Sequence, residues 1–139
     1  MKVFNELKAA ILKEDFYETN KILEKVFNEG DGLGYVDYLI RIMEENPNID
    51  FGMPGPVVHF IERFPEMEYV DTLLNSLKRK PTSHTLWMLN RIINDPASKR
   101  KSEFIQILLK IAKKSDVDTL IRKQAEEYYK YQTEKEFRA

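Results

Sequence analysis

His59 and His84 are the only imidazoles of the chain, and cysteine is absent. Without a thiol there is no thiolate nucleophile, no disulfide framework and no cysteine zinc site. The two histidines lack the H-x-x-x-H or H-E-x-x-H spacing that puts two ligands on one helical face, and no third convergent carboxylate accompanies them. They read as hydrogen-bonded structural or interface residues. Glu44–Glu45, Glu66–Glu68 and Glu126–Glu127 are close carboxylate pairs, but residues so near in a helix point in different directions and make no acid/base couple. No serine occupies a G-x-S-x-G elbow. The residue inventory therefore predicts neither enzyme nor cofactor nor metal site.

The stretch "FGMPGPVVHF", Phe51 to Phe60, concentrates glycine and proline before an apolar run. A phosphate cradle needs such a turn at a strand-to-helix junction, commonly followed by lysine, and here neither strand nor lysine is present. The simpler expectation is a helix entry, with proline fixing the chain direction and Gly55 allowing close approach to a neighbouring helix.

The elements that carry these residues are all predicted to be helical. Prolines and glycines fall where helices start or stop, and the 3.6-residue periodicity places helices near 2–13, 16–29, 34–46, 55–64, 66–79, 83–94, 99–114 and 116–131. Capping boxes are expected at Asp15 with Glu18 and at Ser115 with Asp118. Residues 132–139 have little to bury and are expected to fray. The rest of residues 1–139 suits one domain, with no apolar run near the roughly 20 residues of a membrane span and no signal-peptide pattern at the start. Those features predict a cytoplasmic protein with no membrane partner.

Three segments rhyme. "YVDYLIRIM" begins at Tyr35, "YVDTLLNSL" at Tyr69 and "FIQILLKIA" at Phe104, spacings of 34 and 35 residues. The intervening "VVHFIERF" from Val57 and "LWMLNRII" from Leu86 share apolar first, second, fourth and eighth positions. Recurrence at this distance predicts an all-α chain of about eight helices in stacked antiparallel hairpins, a HEAT-like α-solenoid, since the TPR consensus is missing. The alternative is an irregular helical bundle.

Charge is balanced overall at 22 basic and 23 acidic residues, but residues 1–70 hold 7 basic and 14 acidic, and residues 71–139 hold 15 and 9. In a stacked array one end becomes acidic and the other basic, a field able to steer a charged macromolecule. Asp31, Asp37, Glu44, Glu45 and Asp50 are the candidate partner-binding acids. The basic set includes "KRK" at Lys78–Lys80 and again at Lys99–Lys101. Cations at helix C-termini also complement the helix dipole, which accounts for Lys78 to Lys80, Lys113 and Lys114 without any partner. The lone Trp87 shares a helical face with His84, Asn90 and Arg91. Turned outward these four make a binding patch with His59 on the equivalent helix; turned inward, Trp87 is core.

The stretch "RKPTSHTLWMLNRIIND", Arg79 to Asp95, with "MPGPVVHFIE" upstream, resembles the small α-helical immunity proteins of bacterial polymorphic and contact-dependent toxin systems. In those proteins a Pro-Gly-Pro segment leads into an apolar helix, and a "PT-x-HT" entry leads into a "WMLNR" helix. The resemblance covers roughly residues 33–128. It implies a non-enzymatic cytoplasmic protein that binds and neutralises one cognate toxin domain, a basic nuclease being one such target. A helical-repeat adaptor that self-associates through its ends is the alternative, and nucleic-acid binding through residues 78–114 is the least expected.

Overall fold

The computed structural model describes the backbone of residues 2–138 and the side chains of residues 2–134. It is all-α, with eight α-helices and no strand among the described residues. They are α1 (Lys2–Leu12), α2 (Phe16–Asn28), α3 (Val36–Glu45), α4 (Gly55–Glu62), α5 (Glu66–Arg79), α6 (Ser83–Asn94), α7 (Lys101–Ala112) and α8 (Thr119–Arg138). A short 3-10 turn, Gly32–Tyr35, leads into α3. Two compact units divide the chain, residues 1–75 and 76–139, the division falling inside α5.

Local chemistry explains most of the boundaries. The Asp15 carboxylate accepts the Glu18 N–H at 3.0 Å and so opens α2. Helix α6 opens with a reciprocal cap in which the Thr82 hydroxyl accepts the Thr85 N–H and the Thr85 hydroxyl accepts the Thr82 N–H. The cap expected at Ser115 is displaced: the Asp118 carbonyl accepts the Arg122 N–H, and α8 begins at Thr119. Helix α8 also continues past the expected end at 131, and Gln132, expected to have little to bury, is only 3% exposed.

The repeated segments coincide with α3, α5 and α7, and equivalent positions bury alike. Val36, Val70 and Ile105 are buried, and Leu39, Leu73 and Leu108 are each 0% exposed. Helices of this length are marginal alone in water, so burial of the apolar stripe against neighbours is what holds them.

Within the first unit, α1 packs on α2, and α2 packs on α4. Phe27 of α2 meets Phe60 and Phe64 at centroid distances of 6.3 and 5.7 Å. Arg63 lies 3.6 Å over the Phe27 ring and pairs with Glu24. Because Phe16 and Thr19 share a cavity wall with Pro56 and Val57, while Glu24 and Phe27 meet Phe60, Arg63 and Phe64, residue numbers rise together and α2 and α4 run parallel. Helices α1 and α3 are joined in the same sense: near their starts Phe4 stacks on Tyr35 at 4.6 Å and its carbonyl accepts from the Tyr38 hydroxyl at 3.0 Å, and past their ends Glu14 meets Asp50.

In the second unit α6 and α8 are also parallel, since Ser83 bonds Gln124 while Asn90 and Asn94 both accept from Gln132. Next-but-one helices running parallel is the arrangement that successive antiparallel hairpins produce, and an up-and-down bundle shares it.

Two glycines are needed where they stand. A Cβ on Gly32 would lie 2.8 Å from the Phe64 ring tip and 3.1 Å from that of Phe60, both wedged against Phe27. At Gly52, with φ +91°, a Cβ would lie 2.5 Å from the Gly55 Cα. The close approach to a neighbouring helix expected of Gly55 is not seen: a Cβ there would meet open space, and its φ is +74°.

Gly32→Ala should lower stability by about 1–3 kcal/mol through overpacking of the phenylalanine cluster. Gly34→Ala, with nothing near its Cβ, should change it by no more than about 0.5 kcal/mol. Urea unfolding followed by circular dichroism distinguishes the two.

Candidate functional site

The ten residues singled out from sequence do not form one site. Asp31 is exposed beside an open hollow of about 490 Å³ lined by Phe4, Gly30, Leu33, Gly34 and Tyr35. Asp37, also exposed, opens α3 and pairs with Arg41 one turn on at 3.2 Å. Glu45 closes α3 and Asp50 follows it in the next loop, both exposed. Asp31 lies past the end of α2 and Asp50 beside its start, so about 20 Å of helix separates them. The acids therefore occur as two groups at two ends of the first unit. Glu44 belongs to neither, because it is only 9% exposed. Its position four residues after Ile40 and next to Met43, both 0% exposed, turns it inward and removes it from the expected acidic surface.

His59 is exposed near the C-terminal end of α4, and His84 is half-buried in the first turn of α6. They lie in different units. Among the described residues no three His, Asp or Glu side chains gather into a metal-binding group.

On α6, Trp87 is half-buried, with the Arg91 guanidinium 4.9 Å from its ring centroid. Asn90 is buried at 8% exposure, and its Oδ1 accepts from Gln132 Nε2 at 2.7 Å. It is committed to the α6–α8 seam, so the expected outward patch reduces to Trp87 and Arg91, with His84 a turn away. The missing signal was Gln132, 42 residues distant and read as tail. Its amide bridges two asparagines, donating also to Asn94 Oδ1 at 2.9 Å.

Sequence reasoning also passed over the turn between α1 and α2. Glu14 has φ +58°, a left-handed conformation that a residue with a side chain rarely adopts. The Asp15 N–H reaches the Ala10 carbonyl and the Glu14 N–H reaches the Ile11 carbonyl, closing α1 where glycine is usual. The side chain that glycine lacks is used: Glu14 Oε1 accepts the Asp50 N–H at 3.2 Å, joining this turn to the loop after α3. Asp50 Oδ1 in turn accepts the Gly52 N–H at 2.8 Å. Exposed apolar side chains cluster on these two segments, with Leu12 42%, Phe16 39%, Tyr17 80% and Met53 86% exposed.

Electrostatics follow the unit boundary. Residues 1–75 hold 7 basic and 15 acidic residues, net −8, and residues 76–139 hold 15 and 8, net +7. Tyr38 titrates above its ordinary 10.0, first because burial disfavours the phenolate and then because Glu45 is negative. Among the described residues, no helix is long and apolar enough to cross a membrane.

No family model matches the chain, and no curated protein or solved structure matches it.

Gln132→Ala leaves the buried Asn90 Oδ1 without its donor and should cost about 1–3 kcal/mol in a thermal or urea melt, the outcome expected of a structural seam. A raised phenol pKa makes the folded state hold its proton longer than the unfolded one. The stability that this contributes is complete below pH 10.0 and is lost as pH rises through the folded value. Glu45→Gln should move the Tyr38 titration downward in tyrosinate absorbance, and Tyr38→Phe should flatten the alkaline loss.

Proposed function

We propose that the chain is an immunity protein: a cytoplasmic binding protein, not a catalyst, that neutralises a cognate bacterial toxin domain, with a basic nuclease domain as the favoured target. The reading rests on the resemblance of residues 33–128 and on one structural observation, the net −8 of the first unit against the net +7 of the second. A domain that acts on phosphodiester polymers is cationic, and an acidic surface attracts it at long range while competing with its substrate's charge. The exposed acids Asp31, Asp37, Glu45 and Asp50 supply that field from both ends of the first unit. Inhibition then requires only tight occupation of the toxin domain.

The test is co-expression with a candidate toxin domain encoded beside this gene. Cells carrying the intact protein should grow, and cells lacking it should not. A variant with Asp31→Asn, Asp37→Asn, Glu45→Gln and Asp50→Asn should associate about ten-fold more slowly at low salt while keeping its helical circular dichroism. Failure to protect contradicts the immunity reading; an unchanged association rate contradicts the electrostatic part of it.

A further inference from the structure

The end of the first unit formed by the α1–α2 turn and the loop of residues 50–54 has the composition of an interface. Tyr17 and Met53 are 80% and 86% exposed, with Phe16 and Leu12 beside them, and solvent gains nothing from such side chains. Aromatic residues and methionine are the types enriched at binding surfaces. Phe16 shares a cavity wall with Asp50, Phe51 and Pro56, which brings the turn and the loop together, and the Glu14–Asp50 hydrogen bond fastens them. The same two segments carry four carboxylates, Glu14, Asp15, Glu18 and Asp50, against Lys13 in the turn and Lys21 further along α2. Three of the four are oriented by the fold, since Asp15 caps α2, Glu14 holds the Asp50 N–H and Asp50 holds the Gly52 N–H.

Charge complementarity decides the occupant. Exposed apolar side chains on segments rich in carboxylates fit a protein surface that presents an apolar anchor among lysines and arginines. The second unit of another copy is positive overall, but the helix that carries its exposed apolar groups is not. Lys78, Lys80, Lys99, Lys110, Lys113 and Lys114 flank or lie on α5 and α7, whereas Leu120 and Tyr131 are on α8. Up to residue 134, α8 balances Arg122, Lys123 and Lys130 with Glu126, Glu127 and Glu134. The exposed apolar side chains of the second unit thus stand on a helix with no excess of positive charge of its own up to residue 134.

We infer that Tyr17 and Met53, on segments that also carry Glu14, Asp15, Glu18 and Asp50, are the anchor of the interface with the cationic toxin domain. This rests on the immunity reading and narrows it to one end of the first unit. It sets aside the hollow near Asp31 and the Trp87 face of α6 as principal contacts.

The experiment uses the full chain and a catalytically inactive form of the neighbouring toxin domain, with binding kinetics and growth protection as paired readouts. Tyr17→Ala with Met53→Ala should weaken binding about 100-fold, chiefly in dissociation rate, with an unchanged melting temperature because both side chains are exposed. Glu14→Gln, which keeps the oxygen that accepts the Asp50 N–H, combined with Glu18→Gln should slow association several-fold. Trp87→Ala should leave affinity within about three-fold, as contacts outside an interface centre do. If the intact chain neither binds nor protects, the immunity reading falls and takes this inference with it. If the intact chain binds and the Tyr17–Met53 variant binds equally well, the inference alone is overturned. Sedimentation of the protein by itself gives the remaining outcome: a dimer abolished by the same pair of substitutions would identify a second copy as the occupant and overturn the assignment.

Discussion

Burial of one aliphatic position per repeat is the constraint on which the rest depends. Leu39, Leu73 and Leu108 are each completely buried, and the β-branched residue three places before each is buried with it. The helices that carry them have 10 to 14 residues, short enough that an unpacked one would melt. Every helix must therefore give one face to its neighbours. What remains for function is the opposite face, the helix ends and the loops.

That division explains why chemistry-bearing residues scatter while apolar ones align. The interior is filled by side chains with no reactivity, and several of the polar groups drawn into it hold elements together. Asn90 and Gln132 bond each other across the α6–α8 seam, and Thr82 and Thr85 cap one helix. The charged residues stay outside, where their sum over each unit matters more than any one pair. Exposed pairs such as Asp37–Arg41 and Arg100–Glu103 add little stability, but the unit totals of −8 and +7 shape what can approach.

Features with a local cause were legible in the sequence. Proline and glycine positions delimit the helices, and the Asp15 cap sits where Asp and Glu three apart place it. The same spacing misled at Ser115, where it occurs in a loop and the helix waits until Thr119. The Thr82 cap escaped notice because its reciprocating residue is threonine instead of glutamate or glutamine. Long-range pairings could not be read at all: nothing in the letters joins Gln132 to Asn90, or Glu14 to Asp50. Asn90 left the candidate patch for that reason. Periodicity could have turned Glu44 inward, since it follows Ile40 by one turn, but the acidic run Glu44–Glu45 drew attention to charge instead of face. The apolar group at Phe16, Tyr17 and Met53 was invisible because exposure of a tyrosine or methionine is decided by which neighbours arrive, not by its own identity.

Hydrogen exchange of the chain alone and in complex with the inactive toxin domain bears most directly on the claim that the acidic unit does the binding. The account predicts that slowing is concentrated at residues 12–18 and 50–55, with residues 78–114 exchanging as in the free protein. Protection concentrated in residues 78–114, with the α1–α2 turn unaffected, would contradict it.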